Sequence, residues 1–152
     1  MGYIDTLIEN CEKAKVARPL REFVLTDVAE LSELAGIEQA IYVIEHDGDH
    51  EKTFLDFSRF KQLGTRACAR LNAPSPVLYV GSSRSDLAKR IKEHLGRSGT
   101  KTYALHLEHW FQGVPKVTVR VYNESAEVLQ IIEDDLAAAL KPAFGKRGGN
   151  RV

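Results

Sequence analysis

Apolar residues along the chain repeat every three to four positions in some stretches and run alternately or without a break in others, and the switches mark its elements. Tyr3, Ile4, Leu7, Ile8, Cys11 and Ala14 share one helical face, predicting a helix over 3–17 that Arg18-Pro19 ends. A shorter helical stretch covers 25–34, with Thr26 or Asp27 as its cap and Gly36 as its stop. The β-branched and aromatic run Ala40-Ile-Tyr-Val-Ile44 reads as a strand. Phe54 to Leu71 is helix-like, with Phe54, Phe57, Leu63, Ala67 and Leu71 near one face and Gly64 as its weak point. Val77-Leu-Tyr-Val80 is a second strand, followed by a tight turn at Gly81 and an amphipathic helix that ends near Leu95. Ser85 caps that helix, Leu87, Ala88, Ile91 and Leu95 form its apolar stripe, and Arg90 and His94 sit one turn apart on the edge of the stripe. A short helix is expected within 102–111, and the clean alternation of Val117 to Tyr122 makes a third strand. A long last helix starts at Asn123 or Ser125, ends at Lys141-Pro142, and leaves a basic, glycine-rich tail over 145–152.

This order predicts an α/β (α+β) fold: a small central three-stranded antiparallel sheet flanked by helices. Residues 1–38 are expected as a helical extension packed on the core. Residues 39–152 form the main domain, with a helical insertion at about 46–76 between the first two strands. At 152 residues the chain is long enough for one domain with a true core. It has no run of about 18 apolar residues, which argues against a membrane span, and its first residues lack the basic start and apolar centre of a signal peptide. Cys11 and Cys68 are too few for a disulfide framework or a cysteine zinc site, which suggests a reducing, cytoplasmic setting.

Charge is balanced overall but not along the chain. Residues 1–38 carry 4 basic and 8 acidic side chains, whereas residues 77–152 carry 12 basic and 8 acidic. A phosphate-binding face would draw on that second half, although an ordinary solvated surface has the same look. The cluster His46-Asp-Gly-Asp-His-Glu51 lacks the alternating oxygen ligands of a calcium loop and reads as a solvated turn.

Glu133 is the least expected residue. It lies about 40° around the last helix from Leu129, within the buried stripe of Leu129, Ile132, Leu136 and Leu140. A carboxylate there needs a partner. It is either a ligand for a hard divalent cation or one half of an internal salt bridge, for which Arg90 is the candidate. Tyr42 and Tyr79 stand in short strands and are either ordinary strand tyrosines or hydroxyls at a site, where a base role would need nearby positive charge. Arg90 suits a phosphate or a salt bridge, and His94 an acid/base role or a surface position.

Taken together, Ala40-Ile-Tyr42, Tyr79-Val-Gly81, Arg90, His94 and Glu133 resemble the GIY-YIG endonuclease family, and Glu133 precedes Pro142 by the nine residues typical of that family's last helix. The resemblance implies metal-dependent hydrolysis of a DNA phosphodiester, with Mg²⁺ or Mn²⁺ held by Glu133. Tyr42 and Tyr79 would be the two motif tyrosines, one of them helping to activate water. Arg90 would stabilise transition-state charge, and His94 would fill the histidine or tyrosine position. Ser82, Arg84, Lys89, Arg97, Lys101, Lys146 and Arg147 are the expected DNA contacts. The sequence departs from the family pattern in three ways. Ala40 replaces the first glycine, 36 residues separate Tyr42 from Tyr79, and Gly145 stands where an asparagine is common. A catalytically idle descendant that binds nucleic acid or a protein partner is the alternative.

Overall fold

The apolar run at 40–44 shows no alternation because it is buried on both faces of a sheet. In the computed structural model, which describes residues 2–97 and 99–146, four strands pair throughout in antiparallel fashion. They are β1 (Arg21–Leu25), β2 (Ala40–Glu45), β3 (Val77–Ser83) and β4 (Lys116–Val121), in the spatial order β1-β4-β2-β3. Four α-helices accompany them: α1 (Tyr3–Val16), α2 (His50–Gln62), α3 (Leu87–Leu95) and α4 (Ala126–Leu140). None of the described helices is long and apolar enough to cross a membrane.

β1 corrects the expected three-stranded sheet to four. Its five residues include the charged pair Arg21 and Glu22, and as an edge strand it buries only Leu25 fully. Too little of it is apolar to stand out from the helical pattern around it. The chain from Val28 to Leu34 then forms a 3-10 helix in place of the expected α-helix.

Ala40, Tyr42 and Ile44 point into the main core with Leu34, Phe57, Leu87, Ile91 and Phe144, on the side of the sheet covered by α2 and α3. Ile41 and Val43 point the other way, toward Leu129 and Ala137 of α4. α1 lies outside α4 and buries no residue of its own.

Other boundaries also move. β3 runs straight through Gly81 to Ser83, where a turn was expected. Asp86, not Ser85, caps α3, its carboxylate accepting the Lys89 N–H at 3.1 Å. Ser125 caps α4. Within 102–111 only Leu107–His109 is helical, as a short 3-10 turn. The helix expected over 54–71 occupies 50–62, because Asp49 accepts the Lys52 N–H and starts it early while Gly64, at φ 68°, lies just beyond its end. The same cap accounts for part of the acidic turn at 46–51.

The 46–76 segment is part of the core and not a removable flap. The ring of Phe57 is fully buried, with its centroid 4.3 Å from that of Phe144 and 4.9 Å from that of Trp110. Asn72 donates to the carbonyls of Pro142 and Gly145, fixing the segment that follows α4. Phe57→Ala should therefore cost about 3–5 kcal/mol of unfolding free energy, the usual range for losing a buried phenylalanine. Urea titration would measure it, and a change below about 1 kcal/mol would mean that the helix is dispensable to the fold.

Candidate active site

The site is organised by β3, which lies at the edge of the sheet. The N–H groups of Ala143 and Phe144 donate to the carbonyls of Val77 and Leu78, covering the first part of that edge. A cleft of about 220 Å³ opens beside Tyr79, Val80, Gly81 and Ser82. In the pairing with β2, Gly81 lies opposite Tyr42 and Tyr79 opposite Ile44, so these four share the α3 face, while Val80 and Ser82 turn toward α4. Residues from both faces of the sheet thus meet at one edge.

Two glycines make room for the tyrosines. A Cβ on Gly81 would stand 2.5 Å from the Tyr42 hydroxyl and 2.8 Å from the Tyr79 ring. One on Gly145 would stand 2.5 Å from the Tyr79 ring, and Gly145 also has φ 88°, which disfavours any side chain. The two tyrosine rings lie stacked between them, with centroids 6.1 Å and planes 8° apart.

His94 does not sit on the edge of its helix as expected. It is wholly buried behind Tyr42. Its Nδ1 accepts the Leu105 N–H at 3.2 Å, so the neutral ring carries its proton on Nε2 and donates it to the Tyr42 hydroxyl at 3.0 Å. Burial, reinforced by the charge of Arg90 and by His106, drives its pKa well below the usual histidine value. Burial and the neighbouring Tyr79 push the Tyr42 phenol far above the ordinary tyrosine value. Tyr42 therefore keeps its proton and can only donate or accept a hydrogen bond.

Arg90 projects from α3 over the same face. Nη1 pairs with Glu93 at 2.9 Å, and Nη2 donates to the Tyr79 hydroxyl and the Tyr103 carbonyl, each at 3.2 Å. Burial works against its charge, but the two tyrosines and Glu93 outweigh it, and the guanidinium stays cationic. Tyr79 is only half-buried, and the Arg90 cation stands at its hydroxyl oxygen.

Glu133 is buried on α4 between Leu129 and Ala137. The salt bridge to Arg90 is not formed, because β3 stands between them and Arg90 is taken by Glu93. Its partner is the Ser82 hydroxyl, which donates to the carboxylate. Burial raises its pKa above the usual glutamate value, against the hydrogen bond from Ser82 and the charge of Lys146. Ser82, expected as a DNA contact, thus positions the carboxylate. Arg84, which donates to Gln130 at 3.3 Å, and Lys146 are exposed at the mouth of the cleft.

Of the expected residues, Tyr42, Tyr79, Arg90 and Glu133 line this one cleft together with Ser82, Arg84 and Lys146. His94 supports it from behind. Lys89 and Arg97 line a separate cavity of about 470 Å³ on the outer side of α3, and Lys101 is exposed in the loop beyond it. Arg147 lies outside the described residues. Sequence reasoning missed Gln130 and Glu93, although both were in reach: each falls one turn from a residue already singled out, Glu133 and Arg90.

Among the described residues no three His, Cys, Asp or Glu side chains gather in a way that could hold a metal ion. One buried carboxylate beside a hydroxyl suits only a hard cation that keeps most of its waters, such as Mg²⁺, and not zinc. The lining holds three cations, Arg84, Arg90 and Lys146, against that one carboxylate, a balance that favours a phosphate. Comparison of the chain with family models, curated proteins and solved structures found no match.

The depressed pKa of His94 has a measurable sign. Above the unfolded-state value of about 6.5 both states are neutral there, and below it only the unfolded chain takes up the proton. Stability should therefore fall as pH drops below about 6.5, by at most about 1.4 kcal/mol per pH unit from this group. His46, lowered by burial and by His50, adds in the same direction, while Glu133, with its raised pKa, acts in the opposite one. His94→Gln isolates the contribution: urea midpoints should be lower than wild type at pH 7.5 but should change less between pH 7.5 and 5.5. Parallel pH curves for the two proteins would contradict a buried neutral His94.

Proposed function

We propose that the chain is a metal-dependent DNA endonuclease of the GIY-YIG type, hydrolysing phosphodiester bonds in the cleft at the β3 edge. The observation that carries this reading is the convergence of Tyr42, Tyr79, Arg90 and Glu133, from β2, β3, α3 and α4, on one cation-rich cleft. Phosphoryl transfer needs positioning and neutralisation of charge more than covalent help, and that is what these residues offer.

In this reading Arg84 and Lys146 draw in the DNA backbone, and the free face of the Arg90 guanidinium meets the charge that develops on the phosphate oxygens. Tyr79, with Arg90 at its hydroxyl, orients the attacking water. Tyr42, buried and protonated, fixes the ring of Tyr79 and offers a hydrogen bond. Glu133, steadied by Ser82, would hold Mg²⁺ or Mn²⁺, which when bound would polarise the phosphate and lower the pKa of a coordinated water. Gly145 fits the scheme despite standing where the family often has asparagine, because the Tyr79 ring lies directly against it. Asn72 supplies side-chain hydrogen bonds to that segment.

The test is a cleavage panel of supercoiled, linear, branched and single-stranded DNA and of RNA with purified protein and Mg²⁺ or Mn²⁺. DNA should be cut only with metal. Arg90→Ala and Glu133→Gln should each lower the rate by at least about 100-fold, the usual loss when one transition-state charge partner is removed, while circular dichroism shows both still folded. No cleavage of any DNA form by wild type would sink the proposal. Salt-sensitive DNA binding without turnover, unchanged in Glu133→Ala, would point to the idle binding module.

A further inference from the structure

A third cavity, of about 560 Å³, lies between α1 and α4 and shares Arg84, Gln130 and Lys146 with the cleft at the β3 edge. We infer that this groove takes the base of a single unpaired nucleotide next to the scissile phosphate, making the enzyme selective for DNA that is unpaired at the cut. The inference rests on the nuclease reading above.

The two cavities meet at Gln130. Its Oε1 accepts from Arg84 and its Nε2 donates to Asp134 at 2.9 Å, so its amide forms the wall between them. Cations stand at the shared mouth, where a phosphate would lie. Acidic side chains share the groove. Glu127 and Asp134 line the groove, and a phosphate backbone could not follow it against two carboxylates. What remains acceptable is a group tethered to a phosphate at the mouth, flat and apolar on one face, with hydrogen-bonding edges. A nucleobase has that form.

The walls match those needs. Tyr3 is 80% exposed on α1 and contributes an aromatic face to the groove, with Leu7 and Ile131 as further apolar lining. Asn10 supplies an amide for base edges, the Thr6 hydroxyl, which donates to the Gly2 carbonyl, is left as an acceptor, and the acidic side chains suit an exocyclic amine. The volume lies within the range of pockets that bind small ligands, about 300–1,000 Å³. It also gives α1 a purpose, since that helix buries no side chain and adds little to the core. Extruding a base from a duplex costs unstacking and unpairing, and that cost is least when the base is already single-stranded.

The test measures binding first, so that it does not depend on turnover. Oligonucleotides with 2-aminopurine either unpaired in a bulge or flap or fully paired are titrated with wild type, Tyr3→Ala and Asn10→Ala in Ca²⁺. Wild type should bind the unpaired substrates more tightly and quench the 2-aminopurine. Tyr3→Ala should lose about tenfold in affinity for the unpaired substrates, the scale of one lost base stack, with paired duplex changed less than twofold. Asn10→Ala should weaken the unpaired substrates less. Both residues lie on the surface of α1, and circular dichroism checks that the helix persists. Equal affinity of wild type for paired and unpaired DNA, or equal losses of Tyr3→Ala on both, would overturn the inference. If wild type cuts DNA but Tyr3→Ala keeps its preference, the groove reading falls and the nuclease stands. If wild type neither binds nor cuts DNA, both fall.

Discussion

A carboxylate buried against a hydroxyl is the constraint on which the rest of this structure turns. Glu133 sits in the apolar stripe of α4, yet among the described residues Ser82 is the only side chain to which it hydrogen-bonds. Neutral partners leave most of the cost of desolvating a charge in place, and the raised pKa of the group is the direct expression of that cost. A leucine at this position would have closed the seam between α4 and β3 at no such cost. The arginine that could have neutralised it lies on the other side of the strand, committed to Glu93 and to Tyr79. The fold thus keeps one anion and one cation apart across a strand edge, each open to the same cleft.

That separation follows from ordinary elements. The antiparallel pairing of β2 and β3 places Tyr42 and Tyr79 on one face and Ser82 on the other. Helices on opposite sides of the sheet then supply Arg90 and Glu133. Gly81 and Gly145 allow the two phenol rings to lie closer to the backbone than any side chain would permit. Behind them His94 fills the core as a neutral ring, its two nitrogens fully used by Leu105 and Tyr42. Packed side chains thus lie behind the cleft and charged ones line it.

Much of this was legible in the sequence, and the gaps have physical causes. Long elements with strong periodicity, α1, β2, α3 and α4, stood close to their expected positions, and the misplaced carboxylate was visible because its neighbours on α4 are so regular. β1 escaped because an edge strand of five residues with two charges carries almost no pattern. The start of α2 was hidden because its cap, Asp49, lay inside a polar run that looked like a turn. His94 was misjudged because its ring lies at the margin of the helical stripe, where depth depends on what packs above it. The course of β3 through Gly81 could not be read locally, since glycine there serves a tyrosine on the neighbouring strand. Sequence also gave no hint of the continuity between the α1–α4 groove and the cleft, which arises only from packing.

The central claim is that Glu133 is buried to serve a cation in a phosphate-binding cleft. The most direct measurement is isothermal titration of Mn²⁺ into the purified wild-type protein and into Glu133→Gln. The account predicts one Mn²⁺ site per chain in wild type that disappears in Glu133→Gln while the fold persists. Equal binding by the two proteins, or none by wild type even with DNA present, would contradict it.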